Sequence, residues 1–290
     1  MIDKAGLVGG GFMGSGIAES VARAGIPVVV YEPDEAPLER GRGRVEQSVA
    51  RAVRGGKLSD QDAQDLVQRI GWTTDLDALR GSEVVVEAVT EDPAVKGKVF
   101  QALDAILSPD AVLASNTSSI PIAQLASWTA TPERVIGLHF FSPVPVMRLV
   151  EVVVGLDTSE ATVERAEAFA RAIGKEAIRT KDRSGFIVNM LLVPYLMAAV
   201  RMLEDGFATR EDIDKGMKLG AGHPMGPLTL CDFIGLDVLY AVCDSLYEEF
   251  KRPEYAPPPL LKRMVVSGHH GRKTGRGFYD YAPDRDPASV

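Results

Sequence analysis

Cysteine is almost absent from this chain: 290 residues carry only Cys231 and Cys243, without C-x-x-C spacing. That excludes a disulfide framework and leaves both thiols as filling for a helical interior in a reducing compartment. Histidine is scarce too, with four in all, and His269-His270 sits in a Gly-rich polar stretch without a carboxylate or cysteine nearby. The pair therefore offers neither a metal-hydrolase ligand set nor a nucleophilic triad. Positive charge is in deficit, 32 Lys and Arg against 40 Asp and Glu for a net −8. Such a chain lacks the basic surface that nucleic acid requires, and an anionic ligand would need a local basic patch. No apolar run approaches the ~20 residues of a membrane span. Met1 leads directly to Asp3-Lys4 and a short apolar run, unlike a signal peptide, so a cytoplasmic protein is expected.

What is present is ordinary globular material, 46% hydrophobic and 25% charged. The length exceeds the ~250 residues at which single cores tend to split, so two domains are expected. Short Val-, Ile- or Leu-rich runs at 5–8, 28–31, 84–88, 112–115, 135–139 and 149–154 read as buried strands. Helical spacing fills the gaps at 14–24, 38–53, 95–107 and 159–173. The alternation predicts a doubly wound α/β domain with a parallel sheet. From about Ser184 the strand signal disappears, and 186–203, 210–219, 236–250 and 260–266 carry apolar residues at helical spacing. The polar turn Lys181-Asp182-Arg183 is the expected junction, giving an α/β domain over 1–183 and an all-helical domain over 184–290. Residues after Tyr281 read as a loose tail.

Gly9-Gly10-Gly11-Phe12-Met13-Gly14 is a G-x-G-x-x-G turn between a predicted strand and a predicted helix. Gly9 permits the tight turn, Gly11 lets the backbone approach a pyrophosphate, and Gly14 lets the helix pack on the sheet. The pyrophosphate would rest on the helix N-terminus. Glycine turns are common, but here Glu32 also closes the next strand, where an acid bonds the adenosine ribose and repels a 2′-phosphate. NAD is therefore expected over NADP.

His139 ends the run 135–139 and precedes Phe140-Phe141-Ser142-Pro143-Val144-Pro145. Strand carboxyl ends line the ligand crevice of open α/β sheets, which puts an acid/base-capable imidazole at the mouth. Glu151 lies among apolar residues in 149–154, where a carboxylate is costly to bury unless paired. Pairing with His139 would fix the imidazole tautomer, although one His and one Glu could equally be structural.

Longer motifs go further. Ser115-Asn116-Thr117-Ser118-Ser119, Gly137-Leu138-His139-Phe140-Phe141-Ser142-Pro143-Val144-Pro145-Val146-Met147, Gly185-Phe186-Ile187-Val188-Asn189, His223-Pro224-Met225-Gly226-Pro227 and Lys273-Thr274-Gly275-Arg276-Gly277-Phe278-Tyr279 follow one another from the middle of the chain nearly to its end. In this order they resemble the L-3-hydroxyacyl-CoA dehydrogenase family, whose bacterial members include 3-hydroxybutyryl-CoA dehydrogenases. The resemblance implies NAD-dependent interconversion of an L-3-hydroxyacyl-CoA and a 3-ketoacyl-CoA. It makes His139 the acid/base and Glu151 its orienting partner, with Ser118 and Asn189 hydrogen-bonding the reacting oxygen or the thioester carbonyl. It places Glu91 and Lys96 on the nicotinamide side, and adds Phe12, Met13, Ser118, Ser142 and Lys273 as cofactor contacts. Two positions depart from the family pattern, Ser142 for its usual Asn and Met190 for its usual Arg, which bears on substrate preference. Homodimerisation through the helical domain, where 233–246 is apolar, is a further implication.

Arg40, Arg42, Arg44, Arg51, Arg54 and Lys57 form a basic cluster in an acidic chain. The family places CoA here, making Ser48 and Lys57 expected contacts with Arg51 and Arg54 in reserve; a solvated helix face is the other reading. Other functions weighed are a dehydrogenase of free hydroxyacids, a dicarboxylic hydroxyacyl-CoA dehydrogenase and a catalytically silent NAD-binding protein. The first would use a lysine base early in the helical domain, yet no lysine lies between Asp182 and Asp214.

Overall fold

The computed structural model describes residues 2–281. The chain divides into two compact units, one ending at Phe186 and the other beginning at Ile187. The first runs β1 (Ala5–Val8), α1 (Phe12–Arg23), β2 (Val28–Tyr31), α2 (Glu35–Arg54), α3 (Asp60–Gln68) and β3 (Ile70–Thr73). It continues through β4 (Val84–Glu87), α4 (Pro93–Ile106), β5 (Val112–Ser115) and α5 (Ile122–Ala126). β6 (Val135–Phe140), β7 (Leu149–Val154), α6 (Glu160–Ala172) and β8 (Glu176–Lys181) complete it.

The strands form one sheet in the order β3-β2-β1-β4-β5-β6-β7-β8. Its central strands β1, β4, β5 and β6 are buried at every position, and mostly apolar, because both faces are covered. Val84 and Val86 point to the layer that includes Ile17 of α1, Val45 of α2 and Phe169 of α6. Val85 points the other way, toward Phe100 and Leu103 of α4 and Leu125 of α5. The strand order reverses between β1 and β4, so a crevice opens there at the strand carboxyl ends.

Two edge elements lie outside the sequence expectation. β3 is Ile70-Gly71-Trp72-Thr73 with only Ile70 buried, and β8 has no buried residue. One pairing also corrects it: the sheet is not all parallel, because β7 runs antiparallel to β6. Residues 141–148 are too few for a parallel crossover, which takes a dozen or more. The reversal sets His139 directly opposite Glu151 in the register.

Helix starts are set locally. Asp92 caps α4 by accepting from Ala94 N at 2.7 Å and Val95 N at 3.2 Å, with Pro93 in the first turn. Ser59 and Ser159 cap α3 and α6 in the same manner. The first turn of α1 has no side-chain cap.

The second unit comprises α7 (Val188–Glu204), α8 (Arg210–Gly220), α9 (Pro227–Ile234), α10 (Leu236–Phe250) and α11 (Pro259–Val266). Its own core gathers Leu196 and Val200 of α7, Leu228 of α9, Leu246 of α10 and Leu261 of α11. Cys231 and Cys243 are fully buried within it, and burial pushes both thiols up, Cys243 to about 12. Buried Asp232 anchors the closing segment by accepting from Phe278 N, Tyr279 N and Tyr281 Oη at 2.8–2.9 Å. No helix of the described residues is long and apolar enough to cross a membrane. The tail expected after Tyr281 lies outside the described residues.

Candidate active site

The glycine turn forms as its spacing requires. Gly9 has φ +100°, a conformation that side-chain-bearing residues rarely adopt. A Cβ on Gly14 would lie 1.8 Å from Gly9 O, so only glycine lets α1 start so close to β1. A Cβ on Gly11 would meet nothing within 4 Å, so open space faces the uncapped start of α1. An uncapped helix start presents free N–H groups and positive potential, a fit for a pyrophosphate. Glu32, just past β2, accepts the N–H of Gly10 at 2.6 Å, which brings its carboxylate to the same turn.

A cavity of about 380 Å³ opens at the reversal of strand order. Gly11, Phe12 and Met13 line one side; Glu91, Lys96 and Ser118 line another. Six of the expected cofactor contacts thus meet around one space.

Lys96 is held firmly there. Its side chain is 1% exposed, with Nζ 2.6 Å from Glu87 and 3.1 Å from Glu91. Glu87 is fully buried at the end of β4 and also accepts from Ser115 Oγ at 2.7 Å and Val89 N at 2.7 Å. Glu91 accepts from Thr117 Oγ1 and from Ser118 N at 2.9 Å. Burial pushes the Glu91 pKa up, but the Lys96 ammonium and the donors from Thr117 and Ser118 outweigh it, leaving the carboxyl below its ordinary 4.5.

The second constellation sits at the end of β6. His139 Nδ1 lies 2.7 Å from Glu151 Oε2, and Glu151 is fully buried. The two residues are cross-strand partners, which places their side chains on one face of the sheet. Rings of Phe141 and Phe186 flank the imidazole, with centroids at 4.7 and 5.3 Å. Because the carboxylate accepts at Nδ1, a neutral His139 carries its hydrogen there and leaves Nε2 as the acceptor.

Several supporting groups were not anticipated as site residues. Asn116 lines the cavity and accepts from Phe140 N at 3.0 Å, tying the loop after β5 to the end of β6. Phe186 packs on His139 from a φ of +48°. Lys175, 7% exposed, donates to Val144 O at 2.5 Å and Met147 O at 2.8 Å, clamping the turn that follows β6. Glu87 carried a readable sign, a carboxylate in an apolar strand, the same sign that singled out Glu151. The other three become visible only once the strands are placed.

Ser142, Ser48, Arg51, Arg54, Lys57, Asn189 and Lys273 are not among the residues that line this cavity. Ser142 is half-buried just past β6. Ser48 is half-buried on α2, while Arg51, Arg54 and Lys57 are exposed toward and beyond its C-terminal end. Asn189 and Met190 occupy the first turn of α7 in the second unit. Lys273 also belongs to that unit and sits 2.6 Å from the Asp237 carboxylate. Among the described residues no cluster of three or more His, Cys, Asp or Glu could hold a metal ion.

A dinucleotide turn at the reversal point of a doubly wound sheet, with a buried histidine–carboxylate pair whose histidine lies three strands along from β1, fits the class of NAD-dependent oxidoreductases. Comparisons narrow the class. Residues 4–183 match the NAD binding domain of 3-hydroxyacyl-CoA dehydrogenase and residues 185–281 match its C-terminal domain. The chain belongs to the 3-hydroxyacyl-CoA dehydrogenase family. It is 54% identical to a 3-hydroxybutyryl-CoA dehydrogenase of Mycobacterium tuberculosis, over 97% of this chain and 99% of that protein. The crystal structure of M. tuberculosis FadB2 superposes with a TM-score of 0.96 at 54% identity, covering 97% and 99% of the two chains. That of (S)-3-hydroxybutyryl-CoA dehydrogenase PaaH1 from Ralstonia eutropha gives 0.92 at 44% identity, covering 97% and 100%.

Proposed function

We propose that this chain interconverts short L-3-hydroxyacyl-CoA and 3-ketoacyl-CoA thioesters, with 3-hydroxybutyryl-CoA and acetoacetyl-CoA as the pair it handles best. The observation that carries this reading is the 2.7 Å contact between His139 Nδ1 and the fully buried Glu151 carboxylate. The relatives named 3-hydroxybutyryl-CoA dehydrogenase support the chain length.

In the oxidative direction His139 Nε2 takes the substrate hydroxyl proton, and Glu151 holds the Nδ1 proton throughout. The imidazole becomes an imidazolium, and Glu151 stabilises the charge as it forms. In the reductive direction the same nitrogen returns the proton to the carbonyl oxygen. NAD, when bound, would supply the hydride chemistry; Gly9, Gly11, Gly14 and Glu32 would hold its pyrophosphate and adenosine ribose, Glu91 and Lys96 would face its nicotinamide side, and Phe12, Met13, Ser118, Ser142 and Lys273 would add further cofactor contacts. Ser118 and Asn189 donate hydrogen bonds to the substrate oxygens. Ser48, Lys57, Arg51 and Arg54 meet the CoA phosphates. In support, the three cations are exposed and stand in no ion pair among the described residues.

The protein works as a homodimer through its helical unit, which leaves Leu191, Phe207, Leu219 and Val266 each more than 70% exposed. A monomer by light scattering at micromolar concentration would remove that part of the reading. The function itself is tested by His139→Gln and a series of 3-ketoacyl-CoA chain lengths. The substitution should lower kcat by ~100-fold or more with little change in NAD affinity. The preference should fall as the acyl chain lengthens. Near-normal turnover of the variant would take His139 out of the mechanism, and a preference for long chains would overturn the substrate assignment.

A further inference from the structure

The glycine turn is gripped from both sides by opposite charges. The Gly10 N–H goes to Glu32 Oε1 at 2.6 Å, and the Gly10 carbonyl accepts from a guanidinium nitrogen of Arg44 at 3.4 Å. The grip follows from the packing of α2. A Cβ on Gly41 would lie 2.7 Å from Gly10 O and 3.0 Å from the Trp72 ring, so only glycine lets α2 press on the turn. Arg44 follows Gly41 by one helical turn and therefore projects over the same peptide. Arg44 is exposed, and among the described residues no carboxylate stands within ion-pair distance of it, whereas neighbouring Arg42 pairs with Glu39 at 3.4 Å.

We propose that Arg44 is a coenzyme-specificity residue: a cation beside the adenosine ribose able to bind a 2′-phosphate, and held out of that use by the charge of Glu32. The inference rests on the reading that places Glu32 at the ribose. Dinucleotide folds that take NADP put an arginine near the ribose where NAD-specific ones keep an acid. This chain holds both around one peptide. With Glu32 ionised, a 2′-phosphate meets a carboxylate at the turn and is rejected. With Glu32 neutral, the same phosphate meets an unpaired guanidinium whose planar donors match phosphate oxygens. Preference for NAD is thus set by a single negative charge laid over a site already equipped for the alternative. The rest of the basic cluster on α2 does not share this position: Arg51 and Arg54 lie two and three turns further along the helix.

The test is a fluorescence titration of the full chain with NADH and NADPH in the absence of any acyl-CoA, so that substrate assignment does not enter. Glu32→Gln is the informative variant, because the amide oxygen can still accept from Gly10 N while the charge is gone. It should raise the NADPH-over-NADH affinity ratio by about tenfold or more, as expected for replacing a repulsion by a charge-assisted contact. Adding Arg44→Met should take back at least roughly threefold of that gain. A raised ratio that Arg44→Met leaves untouched overturns the role of Arg44 while keeping Glu32 at the ribose. An unchanged ratio in Glu32→Gln overturns both. A second comparison is made in the Glu32→Gln background: adenosine 2′,5′-bisphosphate against adenosine 5′-monophosphate as competitors of NADH. Arg44→Met should weaken the bisphosphate relative to the monophosphate, and equal weakening of the two would also count against the proposal.

Discussion

Replacing Glu151 by Gln removes one charge from a buried pair while keeping side-chain volume and a hydrogen-bonding group. The separation of His139 Nδ1 and Glu151 Oε2 is 2.7 Å, and Glu151 is fully buried. Two unit charges at that distance interact by about 6 kcal/mol at an effective dielectric of about 20. If about half of the proton charge has reached the imidazole in the transition state, the lost stabilisation is about 3 kcal/mol, or roughly 10²-fold in rate. The loss grows toward about 10⁴-fold if the Gln amide turns its NH₂ to Nδ1, because the hydrogen then moves to Nε2 and blocks proton uptake. Steady-state kinetics on acetoacetyl-CoA should place kcat between these bounds, with NADH affinity unchanged because the pair is not part of the cofactor cavity. The double variant Glu151→Gln with His139→Gln should be little slower than His139→Gln alone, since the carboxylate acts only through the imidazole. A Glu151→Gln enzyme within about threefold of normal kcat would refute the argument, as would strictly multiplicative losses in the double variant.

Other consequences concern the cofactor side. Lys96→Met strands the buried Glu87 carboxylate and should cost about 3–5 kcal/mol in denaturant unfolding; the double variant with Glu87→Gln should recover part of it, and additive losses would contradict the pairing. Gly14→Ala forces a Cβ to 1.8 Å from Gly9 O, so NADH affinity should fall by at least about tenfold, measured by fluorescence titration. Glu91 is held ionised in the fold, so the stability it contributes is complete above its ordinary 4.5 and is lost as pH falls through its lowered folded value. Thermal melts in the acid range should therefore decline less steeply for Glu91→Gln than for the unmodified chain; equal slopes would deny the carboxylate that role.

The six central strands were legible because burial makes them predominantly apolar. β3 was not, with Gly71 and a single buried Ile70 leaving no pattern to see. β8 sits at the sheet edge, so its charged residues fall where water covers them. α3 buries only Leu66, too little for a helical stripe. The antiparallel turn of β7 was readable in principle from the short 141–148 connection, but alternating helices and strands had suggested a parallel sheet throughout. His139 and Glu151 stood out as polar residues in apolar strands, and the cross-strand register explains why they meet. Lys96 shows the limit of that approach. Its place at the cofactor cavity came from family resemblance, whereas its pairing with Glu87 depends on β4 and α4 being side by side. Asn116 acts on a main-chain group 24 residues away in sequence and Lys175 on two that are 31 and 28 residues away, and such bonds leave no local trace.

The central claim, reversible oxidation and reduction of a CoA thioester at His139, is tested most directly by following the near-ultraviolet absorbance of NADH with purified protein and acetoacetyl-CoA, beside free acetoacetate. The account predicts loss of NADH with the thioester alone, and none when His139→Gln replaces the unmodified chain. Oxidation of NADH with free acetoacetate at a comparable rate, or no oxidation with either compound, would contradict it.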